Sequence, residues 1–237
     1  MASPTIVLIT GAGRGIGRGI FELYAAKPNH TLIAANRKPD DGPSQELLKL
    51  STAEGTTVQL VKIEATDDND ALNAVEALKS RGINHIDILI ANAGKATSWP
   101  KLEDAKIPDI QDHINTNVFG FVRLYQAVLP LLKASKNPKL IMIGSSAAFL
   151  TASTLQHPFM HLITNTPNKA AWLTAFPIDP GFVQTELGNR GARSFNLEKA
   201  GITVDESVQG VVKVIDASTK ESHSGKLFSW TGEEVPW

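Results

Sequence analysis

A chain of 237 residues with 42% hydrophobic and 20% charged side chains carries enough apolar material for one sizeable α/β core. Its formal net charge of −1 offers no basic footprint for nucleic acid or an anionic membrane. The absence of cysteine excludes disulfides, thiolate catalysis and Cys-based metal sites; the i, i+4 pair His157 and His161 has Pro158 between its members and no companion glutamate, so no metal site is expected.

The opening MASPTIVLITG has no basic leader before its apolar run, and glycines end that run early. It predicts a strand over residues 5–10 rather than a signal peptide. In chain order the patterning then predicts a helix over 15–26, a strand over 31–35, a helix over 45–51 and a strand over 57–62. A helix over 68–79, a strand over 86–91, a helix over 109–134 and a strand over 140–144 follow. Strands over 173–178 and 226–230 flank a last helix over 204–219, where Asp205 and Glu206 suit the positive end of the helix dipole. Short β-branched runs alternating with longer amphipathic segments are the pattern of βαβ units, and the near-continuous apolarity of the strands requires a parallel sheet covered on both faces. No run approaches the ~18 apolar residues of a membrane span, so a soluble, cytoplasmic protein is expected. No repeat or linker-like stretch divides the chain, which predicts one domain over residues 1–237.

Thr10-Gly11-Ala12-Gly13-Arg14-Gly15-Ile16-Gly17 joins the first strand directly to a helix. Glycines at this junction let the backbone turn tightly and approach a ligand, while free N–H groups at the helix start face its phosphates. The spacing is T-G-x-x-x-G-x-G, with a plain tight turn as the structural alternative. The second strand ends Asn36-Arg37-Lys38, with no acid at its tip. A ribose 2′-hydroxyl calls for a carboxylate there and a 2′-phosphate calls for cations, so Arg37, Lys38 and Arg14 favour NADP(H) over NAD(H). Solvated loop charges are the alternative.

At this point the chain resembles the short-chain dehydrogenase/reductases over nearly its full length. Thr10 to Gly17 is similar to their cofactor motif, and Ala91-Asn92-Ala93-Gly94 to their N-A-G motif. Asn117 in Asn117-Val118-Phe119-Gly120 resembles the helix asparagine that holds a relay water. Ile143-Gly144-Ser145-Ser146 resembles the strand-end serine motif, with Ser145 in the catalytic register and Ser146 as second choice. Pro180-Gly181-Phe182-Val183-Gln184-Thr185 is similar to the segment that wraps the nicotinamide, and Glu64 stands where the family has an aspartate near the adenine. Stretches 34–39, 178–193 and 225–237 are similar to fungal ketoreductases of the norsolorinic-acid type. The resemblance implies a single-domain Rossmann-type, doubly wound parallel sheet of about seven strands. Cofactor binding then falls to Gly11, Arg14, Gly15, Ile16, Gly17, Asn36, Arg37, Glu64, Asn92, Ala93, Gly94, Lys169, Pro180, Val183 and Thr185.

The same resemblance implies hydride transfer at nicotinamide C4, with Ser145 holding the substrate oxygen and a tyrosine–lysine pair moving its proton. The expected Y-x-x-x-K is missing. Tyr24 and Tyr125 are the only tyrosines, and both fall on other predicted helices. The best local match is Asn165-Thr166-Pro167-Asn168-Lys169, which keeps Lys169 and puts Asn165 in the place of the phenol. An amide has no titratable proton near neutral pH, so it hydrogen-bonds a carbonyl without protonating it. From Lys169 to a strand at Leu173 there is room for one helical turn, so the crossover after the fifth strand is shortened, with 155–164 expected as a broken helix. The family's long helix here also forms much of its common dimer interface, so homo-oligomerisation stays open. Two functions follow from these residues. One is an NADP(H)-dependent ketone reductase or alcohol dehydrogenase, in polyketide-type secondary metabolism, with Ser145, Lys169 and Asn117 as its catalytic set. The other is a catalytically impaired or inactive cofactor-binding homologue. Trp99, Phe149, Phe182 and Phe195 are candidates for an aromatic-accepting pocket, although packing into the core is the favoured expectation for any one of them.

Overall fold

A computed structural model describes residues 3–145 and 172–236. Eight strands form one sheet in the order β3-β2-β1-β4-β5-β6-β7-β8. They are β1 Thr5–Thr10, β2 His30–Asn36, β3 Thr57–Lys62, β4 Ile88–Ala91, β5 Lys139–Ile143, β6 Thr174–Asp179, β7 Leu227–Ser229 and β8 Glu234–Val235. The first seven run parallel; the two-residue β8 turns back antiparallel on β7, one strand more than the sequence pattern predicts. Helices α1 Gly15–Ala25, α2 Gly42–Leu47, α3 Asp70–Ser80, α4 Ile107–Ile114, α5 Gly120–Ala134, α6 Glu186–Ser194, α7 Val204–Ala217 and α8 Lys220–His223 cover it.

Burial of both faces explains why the strands lack polar alternation. In β1, Ile6 and Leu8 join a core beneath α3 and α5, while Val7 and Ile9 join another beneath α1 and α7. The helices answer with their own spacing: Phe121, Leu124, Val128 and Leu131 on α5, and Val208, Val211, Val212 and Ile215 on α7. Helix α7 starts with a capping box between Thr203 and Glu206. At its other end Lys139 Nζ donates to the carbonyls of Ile215 (2.7 Å) and Asp216 (3.3 Å), a cation on the negative end of the helix.

Three elements depart from the sequence expectation. The helix expected over 109–134 is two helices joined by a π turn, Asn115–Phe119. Hydrophobic periodicity does not register such a turn; its causes are long-range, because Arg123 binds the carbonyls of Asn115 and Ala65 and Gly120 lies against Ala65. Helix α2 starts earlier than expected, since Asp41 caps it by accepting the Ser44 N–H at 2.9 Å. Helix α6 is too polar and glycine-rich to show an apolar stripe, and capping by Thr185 defines it instead. Between Ile143 and Thr174 the chain makes the crossover from β5 to β6. The expected broken helix over 155–164, with Asn165, Lys169, Ser146 and Phe149, lies outside the described residues.

The strand order reverses at β1 and β4, so the crevice at the carboxyl ends of these two strands is where a doubly wound sheet binds its ligand. No helix among the described residues is long and apolar enough to cross a membrane. Tight packing of α7 on the end of β7 gives a direct test. A Cβ built on Gly210 would lie 2.2 Å from the Trp230 carbonyl oxygen, whereas one on Gly42 meets nothing within 4 Å. Gly210→Ala is expected to cost about 1–3 kcal/mol. That lowers Tm by roughly 2–4 °C per kcal/mol, measured calorimetrically, with Gly42→Ala near wild type as the control.

Candidate functional site

The glycine turn is built from close approaches that only glycine permits. Gly11 and Gly15 have φ of 67° and 56°. A Cβ on Gly17 would lie 2.3 Å from the Gly11 carbonyl oxygen and 2.4 Å from Asn92 Nδ2. The Asn92 side chain donates to the carbonyls of Thr10 (2.9 Å) and Gly11 (3.2 Å). In return the Thr10 hydroxyl accepts the backbone N–H groups of Asn92 (3.0 Å) and Ala93 (2.9 Å). These four bonds stitch the end of β1 to the end of β4. Ile16 packs partly buried against the core. No side chain caps α1 and no acid occupies its first turn, so its leading N–H groups are suited to an anion.

Beside the turn lies the end of β2. Asn36 is 6% exposed; its amide nitrogen donates to Ser44 Oγ at 2.9 Å, and that hydroxyl donates on to the Lys38 carbonyl at 2.9 Å. This chain fixes the amide orientation and leaves Asn36 Oδ1 buried without a partner. An acceptor of this kind suits a hydroxyl or amine donor. Arg37 is exposed, with its Nε 3.7 Å from Glu64 Oε2. Glu64 also accepts from the Thr66 hydroxyl at 3.2 Å. Arg14, the third cation expected at this tip, pairs with Glu186 at the start of α6. The glycine cradle, the uncapped helix and the orphaned Asn36 oxygen together fit a phosphorylated, ribose-bearing dinucleotide.

On the other side, the segment after β6 is fixed from three directions. The Pro180 carbonyl accepts the buried Ser207 hydroxyl at 2.6 Å, Gly181 holds φ of 81°, and buried Val183 bridges to Ile202. Thr185 caps α6 by accepting the Gly188 N–H at 3.0 Å, and its methyl lies against Gly15, 3.2 Å from where a Cβ would sit. The first turn of α6 therefore rests on the glycine turn. Gly94 abuts Asn117 Oδ1, and the Asn117 amide grips the Lys95 backbone twice, accepting its N–H at 2.9 Å and donating to its carbonyl at 2.8 Å. The Asn117 side chain thus ties the π turn to the segment after Gly94. Ser145 follows β5 directly, at a strand end fixed by the Gly144 N–H on the Ile178 carbonyl at 2.8 Å.

Neither tyrosine stands near these groups. Tyr24 is 1% exposed, its hydroxyl donates to Asp216 at 3.2 Å at the far end of α7, and burial holds its pKa well above the usual phenol value. Tyr125, on α5, is half-buried against the core, with its pKa also raised by burial, eight residues or about 12 Å of helix beyond Asn117. Trp99, Phe182 and Phe195 are exposed rather than packed in the core, which overturns the core-packing expectation for them. Sequence reading missed Glu186 as the partner of Arg14 and missed the pinning of the 92–99 loop by α4; only the Thr185-Glu186 capping pattern carried a local signal for the former.

The short chain dehydrogenase family matches residues 5–156. A short-chain dehydrogenase of Neurospora crassa, srdF, is 37% identical, over 100% of this chain and 99% of that protein. The norsolorinic acid ketoreductase of Aspergillus parasiticus is 36% identical, over 98% of this chain and 91% of that one. Among solved structures, the NADPH-bound carbonyl reductase from chicken fatty liver superposes with a TM-score of 0.82 at 25% identity, each chain covered in full. Sequence and architecture agree: the chain belongs to the short-chain dehydrogenase family of oxidoreductases.

Proposed function

We propose that this protein binds NADP(H) in preference to NAD(H) and works on the ketone–alcohol couple, at a rate held down by the missing phenol. The stitched glycine cradle at the switch point of the sheet is the observation that carries this reading. Preference for the 2′-phosphate is supported by Arg37 and Lys38 at the β2 tip, where no carboxylate occupies the end of the strand. A ketone of aromatic, polyketide type is supported by the relatives named norsolorinic acid ketoreductases. It is supported too by the exposed apolar side chains Trp99, Phe182, Leu187, Phe195 and Leu197 around α6.

Bound there, a nicotinamide dinucleotide supplies the hydride. Gly15, Ile16 and Gly17 at the start of α1 offer backbone N–H groups to its diphosphate, Gly11, whose own N–H is held by the Ala35 carbonyl at 2.9 Å, makes the turn, and Asn92, Ala93 and Gly94 form the neighbouring wall. Asn36 Oδ1 accepts from the adenosine end, with Glu64 beside it. Pro180, Val183 and Thr185 frame the nicotinamide, and Lys169 holds its ribose. Ser145 orients the substrate oxygen by hydrogen bonding, and the Asn117 carbonyl holds the water that feeds the proton. What this set lacks is an acid of suitable pKa touching that oxygen. A second reading, a cofactor-binding homologue with no turnover, is favoured by the placement of both phenols on other helices, Tyr24 bound to Asp216 and each with its pKa raised by burial.

Fluorescence titration should give tighter binding of NADPH than of NADH. Arg37→Ala should weaken NADPH by about tenfold or more, the worth of a charge-assisted contact, and leave NADH nearly unchanged. Equal affinities in the wild type would end the 2′-phosphate reading, and binding of neither nucleotide would end the cofactor reading. For the chemistry, Asn165→Tyr restores a phenol four residues before Lys169 and should raise NADPH-dependent ketone reduction by ~10²–10⁴. Ordinary family rates in the wild type would refute the impairment.

A further inference from the structure

The loop that follows β4 is pinned at successive places. Asn92 and Ala93 are bound to Thr10, Lys95 to Asn117 through its backbone and to Asp112 through its ammonium at 2.5 Å, and Thr97 to His113. Beyond that last pin, Trp99 lays its indole on α6: a Cβ on Gly191 would be 3.4 Å from Trp99 Cζ2. The loop is thus a strap from the cofactor cradle to the helix that begins at Thr185.

Its partners fix the state of His113. The backbone N–H of Thr97 lies 3.0 Å from Nε2 and can only donate, so Nε2 is the unprotonated acceptor. The Asp109 carbonyl lies 2.6 Å from Nδ1 and can only accept, so Nδ1 carries the hydrogen. The imidazole that closes this pin is therefore neutral. A second proton would go to Nε2, where it meets the Thr97 N–H head-on, and the Thr97 hydroxyl at 3.3 Å is the acceptor left to it. Asp109 and Asp112 share α4 with the ring and Lys95 lies on the strap, where Asp112 is already paired with Lys95. Histidine is the side chain whose charge changes between about pH 5 and 8.

We infer that neutral His113 is a positioning residue for substrate: through the Thr97 N–H it seats the strap that carries Trp99 onto α6, and its protonation loosens substrate binding without loosening the cofactor. The inference rests on the proposed function for the identity of the substrate side, but the hydrogen bond stands apart from it. Three of the four pins do not involve the imidazole, so the cradle stays closed when this one opens. His113→Gln supplies a neutral amide oxygen to Thr97 at every pH, and His113→Leu supplies no acceptor at any pH.

Two measurements test it. Protection of the Thr97 amide against hydrogen exchange, relative to the unfolded rate, is followed by NMR from about pH 8 to 5.5. The wild type should lose about fivefold, the size of one net hydrogen bond. The Gln variant should stay protected and the Leu variant unprotected throughout. In parallel, KM for 1-acetonaphthone and Kd for NADPH are measured over the same range, in the Asn165→Tyr background for rate. KM should rise several-fold toward acid in the His113 protein and stay flat with Gln, while kcat profiles run parallel and Kd for NADPH is common to both. A pH-independent Thr97 amide, or a Kd for NADPH that moves with KM, overturns the inference. If no ketone is turned over, the proposed function fails and the amide measurement alone decides the fate of the pin.

Discussion

The site depends on how closely the glycine turn approaches the end of β4. Gly17 sits where a single methyl group would strike both the Gly11 carbonyl and the Asn92 amide, and Thr10 spends its hydroxyl on the backbone of the facing strand. That closeness brings the free N–H groups of α1 and the N-A-G backbone to one crevice. It also lets Thr185 lie on Gly15, so the segment after β6 completes the wall. Any larger residue at position 17 would separate β1 from β4 at the point where the sheet reverses direction.

Much of this was legible in the sequence because it is local. Strands over 5–10 and 57–62 were placed as they occur: the first is an apolar run buried on both faces, and the second is a β-branched run between turn signals at the half-buried edge of the sheet. The glycine turn and Asn92-Ala93-Gly94 were legible because backbone conformation and residue type are tied there. What escaped was set by contacts distant in sequence. The π turn depends on Arg123 reaching Ala65 and on Asn117 reaching Lys95, and no periodicity within 107–134 encodes either. The pairing of Arg14 with Glu186, 172 positions away, is of the same kind. Helix α6 was missed for want of an apolar stripe, although its Thr185 cap and first-turn Glu186 were there to be read.

The catalytic half is more sharply divided. Ser145 stands just after a strand end fixed by β6, and Asn117 stands in the π turn between α4 and α5. Position 165, four residues before Lys169, carries an amide with no titratable proton near neutral pH, and the two phenols the chain possesses are held where burial raises their pKa. Beside the cradle, Trp99, Phe182, Leu187, Phe195 and Leu197 expose aromatic and aliphatic surface about α6.

On the proposed function, the crevice between β1 and β4 grips a dinucleotide through backbone N–H groups at the start of α1. Hydrogen exchange with and without saturating NADPH reads those groups directly. Slower exchange at residues 15–17, with the far ends of α1 and α7 unchanged, is the predicted result. Unchanged exchange at the glycine turn in the presence of bound or excess NADPH would contradict it.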